Sequence, residues 1–487
     1  MIKRIALVEP DTDIPNIYKL IGIPRLGLPV LGNLLEHEGY EVDIFSDKIR
    51  KPSMGELEGY DLLGISILTN SSHQGYRYAD ALKKRGKTVI MGGPHATFQP
   101  DEALGHCDYV ARGEAEKTFL ELLAALNAGS GVEGIKGLSY RKDGAIVHNE
   151  DREISDEFIN VPATFSRVKG IEAYKNGLGS RFFYTPMVYT SRGCPFNCRY
   201  CTVIKLAGRK LRYRDLDCCI DDIRNALKGI KERKSIMIID DNFTVDMDRA
   251  KELLRKMIRL GKPRHVLYNM QLRVETFKDE EFLSLINEAG FGLLHVGFES
   301  ISRGSLKEWK KNISVEQIRF AVEQARKHGL KVNGMFIVGS DSDTEETVAE
   351  TVDHAIELGM AVMQLFILCP LPGSEVFTQC VEENRIFTYD WRYYDCHHSV
   401  FFPMHMRPSV LQRAVQRANK KFYSFKRMFL ERTYGNRITC GLALRQAEKY
   451  HRDYIRKLEA FEEPFYGNNG TLLKEKLGEN RPEERLL

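Results

Sequence analysis

Along the front of the chain, short apolar runs alternate with stretches whose apolar positions recur at helical spacing. Residues 2–8 form an apolar run broken only by Lys3 and Arg4. Leu26, Val30, Leu31, Leu34 and Leu35 then fall on one helical face that stops at Gly39. Residues 42–45, 62–67 and 89–91 are further short runs of strand character, and 76–84 and 114–126 carry helical patterns. Strands alternating with helices predict a parallel, doubly wound α/β sheet, because each crossover helix covers a face of the sheet it returns to. Residues 137–147 read as a hairpin turning at Asp143-Gly144, a dipeptide suited to the left-handed backbone of a tight turn. This places a first domain at 1–147, followed by a linker of mixed pattern at 148–185.

From 186 the alternation resumes in longer units. Strands are expected at 187–190, 235–239, 266–270, 293–298, 332–338 and 363–368, separated by helices such as 250–260, 279–289 and 315–328. Six such units predict a partial (β/α)6 barrel over 186–383, with reactive residues at the carboxyl ends of its strands. From Pro408 the pattern is helical, with Val410, Leu411, Ala414, Val415, Ala418, Phe422 and Phe425 on one stripe. Residues 384–487 therefore read as a mostly helical C-terminal domain ending in a polar, loose tail after Pro464.

Composition narrows the class. The 487 residues are 43% hydrophobic and 28% charged, as expected of a globular chain of more than one domain. A net charge of +4 is too small to mark a nucleic-acid partner. The N-terminal apolar run is too short for a signal peptide, and no run reaches the length of a transmembrane helix. Ten cysteines without a secretory signal point to reduced thiols in a cytoplasmic protein. Residues 408–437 hold eight Lys or Arg against the single acid Glu431. Such a stretch reads as a solvated face or, alternatively, as peripheral attachment to the anionic inner face of a membrane.

Chemistry concentrates in the run Ser191-Arg-Gly-Cys-Pro-Phe-Asn-Cys-Arg-Tyr-Cys201, where Cys194, Cys198 and Cys201 stand at C-x-x-x-C-x-x-C spacing. Three thiolates this close can hold three corners of a cubane iron–sulfur cluster, which ordinarily takes a fourth. The next cysteines, Cys218 and Cys219, lie seventeen residues on in a helical stretch and read as structural. One iron would stay open to a ligand, and open metal positions are where chemistry happens. A zinc site completed by a histidine, or three inert buried thiols, are the plainer alternatives. No histidine lies in the loop, and neither alternative accounts for Phe196 and Tyr200 between the ligands.

This spacing, with an aromatic residue just before the last cysteine, resembles the signature of the radical S-adenosylmethionine (SAM) enzymes. The resemblance implies a [4Fe-4S] cluster on the three cysteines, SAM chelated to the open iron, and an external electron donor of flavodoxin or ferredoxin type. It also implies reductive cleavage of SAM to a 5′-deoxyadenosyl radical. Among the residues it would assign to SAM is Tyr200 of the cluster loop. Asp240 and Asn242 end the second strand, as acceptors for the SAM ammonium or as a plain Asx turn. Gln271 and Arg273 end the third, where a guanidinium suits the SAM carboxylate. Glu299, in Gly297-Phe-Glu-Ser300, resembles the residue that holds the ribose hydroxyls. Ile337 and Val338 would offer backbone contacts to adenine, and Leu368 opens the turn after the sixth strand, where Cys369 reads as a packed residue. Many relatives carry Gly-Phe-Pro-Gly-Glu-Thr where this chain has Gly339-Ser-Asp-Ser-Asp-Thr344, so the role of that Glu does not carry over directly.

The front domain resembles the Rossmann-like cobalamin-binding domain joined to one large class of these enzymes. The match rests on Gly64-Ile-Ser-Ile-Leu-Thr69, Gly92-Gly-Pro-His-Ala96 and Asp108-Tyr-Val-Ala-Arg-Gly-Glu-Ala-Glu116. It implies cobalamin contacts from Leu68, Thr69, Ser71, Ser72, Gly92, Gly93, His95, Gly113 and Glu114. The D-x-H-x-x-G pattern that supplies a cobalt-ligating histidine is absent, as in many relatives, and His73 and His95 are lone histidines of a type more often structural. A domain that binds no cofactor and only shapes a substrate site is the plainer alternative. The segment from Asn384 to His398 continues the resemblance toward enzymes that methylate or rearrange lipids and pigments, hopanoids among them. There Tyr393, Tyr394, Cys396, His397 and His398 either line a substrate site or simply pack. Taken whole, the resemblance implies a cobalamin-dependent radical SAM methyltransferase acting on an unactivated carbon of a small-molecule or lipid substrate. The runner-up is a cyclase, oxidase or carbon–carbon coupling enzyme without methyl transfer. A cobalamin or redox sensor is the non-enzymatic alternative.

Overall fold

The computed structural model describes residues 1–14, 25–155, 160–163, 165–176, 185–228, 234–430, 435–467 and 470–479. The chain divides into a front unit (Met1–Ile14, Ile21–Pro195 and Val203–Lys234) and a second unit that includes Phe196–Thr202 and Ser235–Leu487.

In the front unit, strands β1 (Arg4–Glu9), β2 (Glu41–Ser46), β3 (Leu62–Ser66), β4 (Thr88–Gly92), β5 (Tyr109–Ala111), β6 (Leu138–Lys142) and β7 (Ala145–His148) form one sheet in the order β2-β1-β3-β4-β5-β6-β7. The pairs among the first five are parallel, and β5–β6 and β6–β7 are antiparallel. Successive residues of β1 feed different cores. Ile5 and Leu7 pack with Leu35, Phe119 and Leu122, whereas Ala6 and Val8 pack with Tyr78, Ala79 and Leu82. Both faces are thus covered by helix, which is why β1 and β3 read as unbroken apolar runs. The strand order reverses between β1 and β3, and in such sheets the carboxyl ends of those strands open a ligand crevice. The hairpin turns at Asp143 and Gly144, with φ of 52° and 82°, and it extends the sheet. Strand β5 is absent from the expectation. Three residues between Asp108 and Arg112 carry no readable period, and pairing with β4 and β6 makes them a strand. Of the expected linker, 156–159, 164 and 177–184 lie outside the described residues; Val168 bridges to Ile44 of β2, and Ile171–Asn176 is helical.

Short strands β8 (Met187–Val188), β9 (Ser191–Arg192) and β10 (Arg212–Tyr213) follow, with β9 and β10 antiparallel. The second unit carries β11 (Lys234–Ile238), β12 (Val266–Leu272), β13 (Phe291–Glu299), β14 (Val332–Val338) and β15 (Val362–Ile367), in the order β15-β14-β13-β12-β11. β12 to β15 pair in parallel. The intervening helices start where the side chains of Asp246, Asp279, Ser314 and Thr344 accept from backbone N–H groups of their first turns. On β12, Val266, Tyr268, Met270 and Leu272 are buried, while the alternate positions Asn269 and Gln271 are not.

Two expectations for the C-terminal region change. Helix Pro408–Phe422 buries Leu411, Ala414, Val415, Ala418 and Phe422, but it ends there, and Phe425 is 62% exposed. The tail after Pro464 is not loose throughout. Phe465, Tyr466, Leu472 and Leu477 are buried against Phe387, Phe402, Tyr454 and Leu458, and the Tyr466 hydroxyl donates to the Pro403 carbonyl at 2.8 Å. Isolated apolar residues in a polar stretch hid that packing; residues 480–487 lie outside the described residues.

Candidate functional site

The three cysteines sit on one loop entered from the hairpin β9–β10, in which Arg192 stands opposite Arg212 and Ser191 opposite Tyr213. Gly193 has φ 99°, and a Cβ there would lie 2.5 Å from the Lys210 carbonyl oxygen, so a residue without a side chain is required. The Cys194 N–H donates to the Gly208 carbonyl at 3.1 Å. None of the three is in a disulfide, and all are half-buried.

The rest of the loop is pinned within the second unit. The Cys201 N–H donates to the Cys198 carbonyl at 3.0 Å, and the Arg199 N–H to the Trp309 carbonyl at 3.4 Å. The Arg199 side chain donates to Gln379 at 2.6 Å and pairs with Glu375 at 3.4 Å, and Asn197 reaches the same Glu375 at 3.1 Å. Tyr200 meets fully buried Trp309 edge to face at 5.9 Å. Phe196 lies under the Arg273 guanidinium, 3.7 Å from its ring centroid, in a cation–π contact.

The strand ends bring several expected residues to this loop. Glu299, at φ 64°, is buried and pairs with buried Lys311 at 2.9 Å. Burial together with the nearby Glu299 carboxylate pushes the Tyr200 phenol well above the usual range. A Cβ on Gly297 would stand 2.5 Å from Glu299 Oε1 and 3.4 Å from Lys311 Nζ, so the bare glycine is the space in which the pair sits. Ile337 and Leu368 pack with Tyr200 and Trp309, whereas Val338 is buried at the alternate position of β14. Arg273 is held by Glu275 at 2.8 and 3.2 Å. Asn242 accepts from the Thr244 N–H at 3.4 Å, making the Asx turn weighed as its plainer role, and Asp240 is buried two residues earlier. Gln271 is exposed.

Sequence reasoning missed Lys311 because it stands beside Lys310, a surface residue paired with Glu375; nothing local separates the two. The departure at Gly339–Thr344 also finds its reason. Asp343 is buried, accepts from the Gly339 and Ser340 N–H groups at 2.8 and 2.9 Å and from the Ser305 hydroxyl at 2.8 Å, and so knits the strand-end loop. Beside that loop, burial and nearby Asp341 raise the Glu308 carboxyl to about 7.

In the front unit, Leu68 is 38% exposed and Thr69 is buried at the end of β3. The Ser71 hydroxyl accepts from the Leu68 N–H at 3.1 Å, and the Ser72 hydroxyl donates to the Thr69 carbonyl at 2.9 Å, so both are spent on the turn that leads into the helix Ser72–Lys83. Gly92 and Gly93 turn the chain after β4, Gly93 at φ 90°. His95 is fully buried, with Nε2 3.6 Å from Glu102 and its ring 6.2 Å from that of Tyr76. Gly113 has open space where a Cβ would stand. The Glu114 carboxylate is taken by Arg212 at 2.6 and 2.7 Å. At the switch between β1 and β3, Arg25 pairs with buried Glu9 at 3.2 Å and donates to the Ser66 carbonyl at 2.7 Å, an arrangement the strand pattern did not signal.

The aromatic and histidine run past β15 packs as core. Asp395 accepts from the His397 and His398 N–H groups at 2.8 and 3.1 Å and lies 3.0 Å from His398 Nδ1, contacts that hold its carboxyl down to about 2 despite burial. Cys369, Tyr394 and Cys396 pack together beside them. Cys219 is buried on the helix Leu216–Leu227. Half of the eight bases are neutralised, because Arg413, Arg417, Lys420 and Lys421 pair with Glu459, Glu345, Glu448 and Asp353. Those acids lie outside residues 408–437.

Donor chemistry and space at this loop fit a cluster with SAM, and the glycine-edged crevice of a 2-1-3-4-5 sheet fits a large cofactor. The Radical SAM superfamily profile matches residues 188–355, and the B12 binding domain profile matches residues 22–123. The chain belongs to the cobalamin-dependent radical SAM enzymes, whose cofactors are a [4Fe-4S] cluster, SAM and cobalamin. Among its relatives is the uncharacterized methyltransferase PH0819 of Pyrococcus horikoshii, 30% identical over 87% of this chain and 93% of its own. The bacteriochlorophyllide d C-8(2)-methyltransferase of Chlorobaculum tepidum is 27% identical over 83% of this chain and 86% of its own. The radical SAM methyltransferase TsrM of Kitasatospora setae, solved with cobalamin and a [4Fe-4S] cluster, shares the fold at a TM-score of 0.66 and 20% identity, over 79% of this chain and 75% of its own. Among the described residues, no helix is long and apolar enough to cross a membrane.

Proposed function

We propose that this chain is a methyltransferase that uses radical chemistry to place a methyl group on an unactivated carbon. The observation that carries the reading is the junction at the three-cysteine loop: Tyr200 packs on Trp309 beside Glu299, which pairs with Lys311. In this reading Cys194, Cys198 and Cys201 hold the cluster. Tyr200, Arg273, Glu299 and the ends of β11, β14 and β15 hold SAM, and the carboxyl edge of β3 to β5 holds cobalamin. Bound there, the cluster with SAM supplies a hydrogen-abstracting radical and cobalamin supplies the methyl group.

The chain's own residues bind and orient. Arg273, stacked on Phe196, offers a guanidinium to a carboxylate. Glu299 accepts from hydroxyls in a place where Lys311 already balances its charge. Tyr200, kept protonated, donates without adding charge. The finer reading is a hydrophobic or lipid substrate met by a cytoplasmic enzyme resting on a membrane surface. Exposed Phe425 and Phe429, with ring centroids 5.0 Å apart, support it; the neutralised bases nearby count against an electrostatic contribution.

The test is anaerobic reconstitution, with cobalamin quantified by electronic absorption, followed by incubation with SAM and a reductant. The expected products are 5′-deoxyadenosine and S-adenosylhomocysteine, with label from the SAM methyl group in the product. Absence of bound cobalamin would sink the methyl-transfer reading. Deoxyadenosine without methylation would favour a cyclase or coupling enzyme. A Cys198→Ala variant that kept its cluster and SAM cleavage would overturn the ligand assignment.

A further inference from the structure

The motif Arg112-Gly-Glu-Ala-Glu116 follows β5, and its resemblance assigns it to cobalamin. Its carboxylates point elsewhere. Glu114 accepts from both terminal nitrogens of Arg212, at 2.6 and 2.7 Å, in a bidentate pair, and lies 3.3 Å from Arg192. Glu116 accepts from Arg192 at 2.7 Å. Arg212 is buried, and it also donates to the Ala207 carbonyl at 3.0 Å, inside the segment that closes the cysteine loop. The surrounding guanidinium groups hold the Glu114 carboxyl below its ordinary range although burial opposes this.

The pairing has a physical necessity. Arg192 and Arg212 stand directly opposite each other in β9–β10. Like charges at opposed positions of a two-stranded ribbon destabilise it, and a ribbon with only two paired residues per strand has little else to hold it. The two glutamates supply the opposite charge. They lie at the N-terminus of the helix Ala115–Ala128, where the helix dipole favours negative charge. Gly113, at φ 72° with its N–H donated to the Thr97 hydroxyl at 3.0 Å, sets their direction. Gly193 leaves no room for a side chain against the Lys210 carbonyl, and the N–H of the next residue, Cys194, donates to the Gly208 carbonyl. A cavity of about 310 Å³ is lined by Gly113, Glu114, Arg192 and Arg212, so the turn after β5 and the ribbon share one wall.

We infer that Glu114 and Glu116 are positioning residues of the cluster loop, acting through Arg192 and Arg212 to place Cys194. The inference rests on the reading of Cys194 as a cluster ligand. It reassigns Glu114 from a cofactor contact to a brace.

The test compares wild type, Glu114→Gln, Glu116→Gln and the double variant as full-length protein after anaerobic reconstitution. The readouts are iron content, the electron paramagnetic resonance spectrum of the reduced cluster with and without SAM, and cobalamin affinity by absorbance titration. The expected result for the double variant is at least a threefold loss of retained iron and a spectrum no longer shifted by SAM as in wild type, with cobalamin affinity within threefold. Glu114→Asp, which keeps the charge, restores most of the wild-type spectrum. Cobalamin affinity falling tenfold with the cluster spectrum unchanged would overturn the inference, as would variants identical to wild type in every readout. A wild-type protein that binds no cluster overturns the cysteine assignment itself and the brace with it. Should the double variant fail to fold by circular dichroism, Glu116→Gln, which removes one ion pair, carries the same comparison.

Discussion

The carboxyl edges of the two main sheets are built by opposite means. In the second unit the edge is ionic. Arg273, Glu299 and Lys311 stand at or beside strand ends, and the Tyr200 phenol lies near Glu299. In the front unit the edge after β3 and β4 is mostly glycine and closed local hydrogen bonds, and ion pairs stand at its flanks, Arg25 with Glu9 after β1 and Glu114 with Arg212 after β5. Gly93 turns at φ 90°, Ser71 and Ser72 spend their hydroxyls on Leu68 and Thr69, and His95 is buried. The difference matches the two ligands. SAM presents an ammonium and a carboxylate, which call for charged partners. Cobalamin presents a broad, amide-fringed ring, which calls for backbone groups and room. On the proposed assignment such an edge would recognise by shape, in keeping with the absence of a cobalt-ligating histidine motif.

Single substitutions therefore ought to act differently at the two edges. The largest effect is expected from Lys311→Met, which leaves Glu299 buried without its partner. Breaking such a pair costs roughly 3–5 kcal/mol, and SAM cleavage is expected to fall while iron is retained. Thermal unfolding and deoxyadenosine yield check this, and a cost no greater than that of the serine change below would remove the ionic half of the comparison. Gly93→Ala comes next. Its Cβ would stand 2.7 Å from the Ile67 carbonyl oxygen in a left-handed backbone, and such strain alone costs about 1–3 kcal/mol. Cobalamin retention is expected to fall with the cluster spectrum unchanged. If both change together, the front edge is not a shape-only site.

Glu308→Gln sharpens the ionic side through pH. With its folded carboxyl raised to about 7 from an ordinary 4.5, the native state keeps a proton that the unfolded chain has released. Wild-type stability relative to the variant is therefore full below pH 4.5, falls as pH rises from 4.5 to about 7, and is flat above. Melting temperatures of the two proteins across that window test it; parallel curves would count against a buried neutral carboxyl. The smallest effect is expected from Ser72→Ala, which removes one helix-start hydrogen bond worth about 1 kcal/mol, with cobalamin affinity unchanged by titration.

Much of this fold was legible because its signals are local. The strands buried on both faces appear as apolar runs, and Asp143-Gly144 announces a turn. β5 was invisible because three residues carry no period, and the apolar residues of the tail were too scattered to show that they close a core. At the site, Tyr200 and Glu299 were found because each belongs to a motif. Lys311 was not, because two adjacent lysines look alike until one is buried. The His397-His398 pair, equally readable as pocket lining or packing, packs as core, since Asp395 satisfies its backbone and one ring.

The sequence by itself brought together the three thiols proposed as cluster ligands. Three thiols within eight residues are close by covalent geometry, whatever the rest of the chain does. It also determined that two α/β regions follow one another, since burial period is written residue by residue. Only the tertiary structure decided which charges meet. Glu114 and Arg212 are 98 positions apart, and their pairing depends on where β5 delivers its turn and where the β9–β10 ribbon stands. An ion pair needs a distance of a few ångströms, and the chain sets that distance only after its sheets have formed.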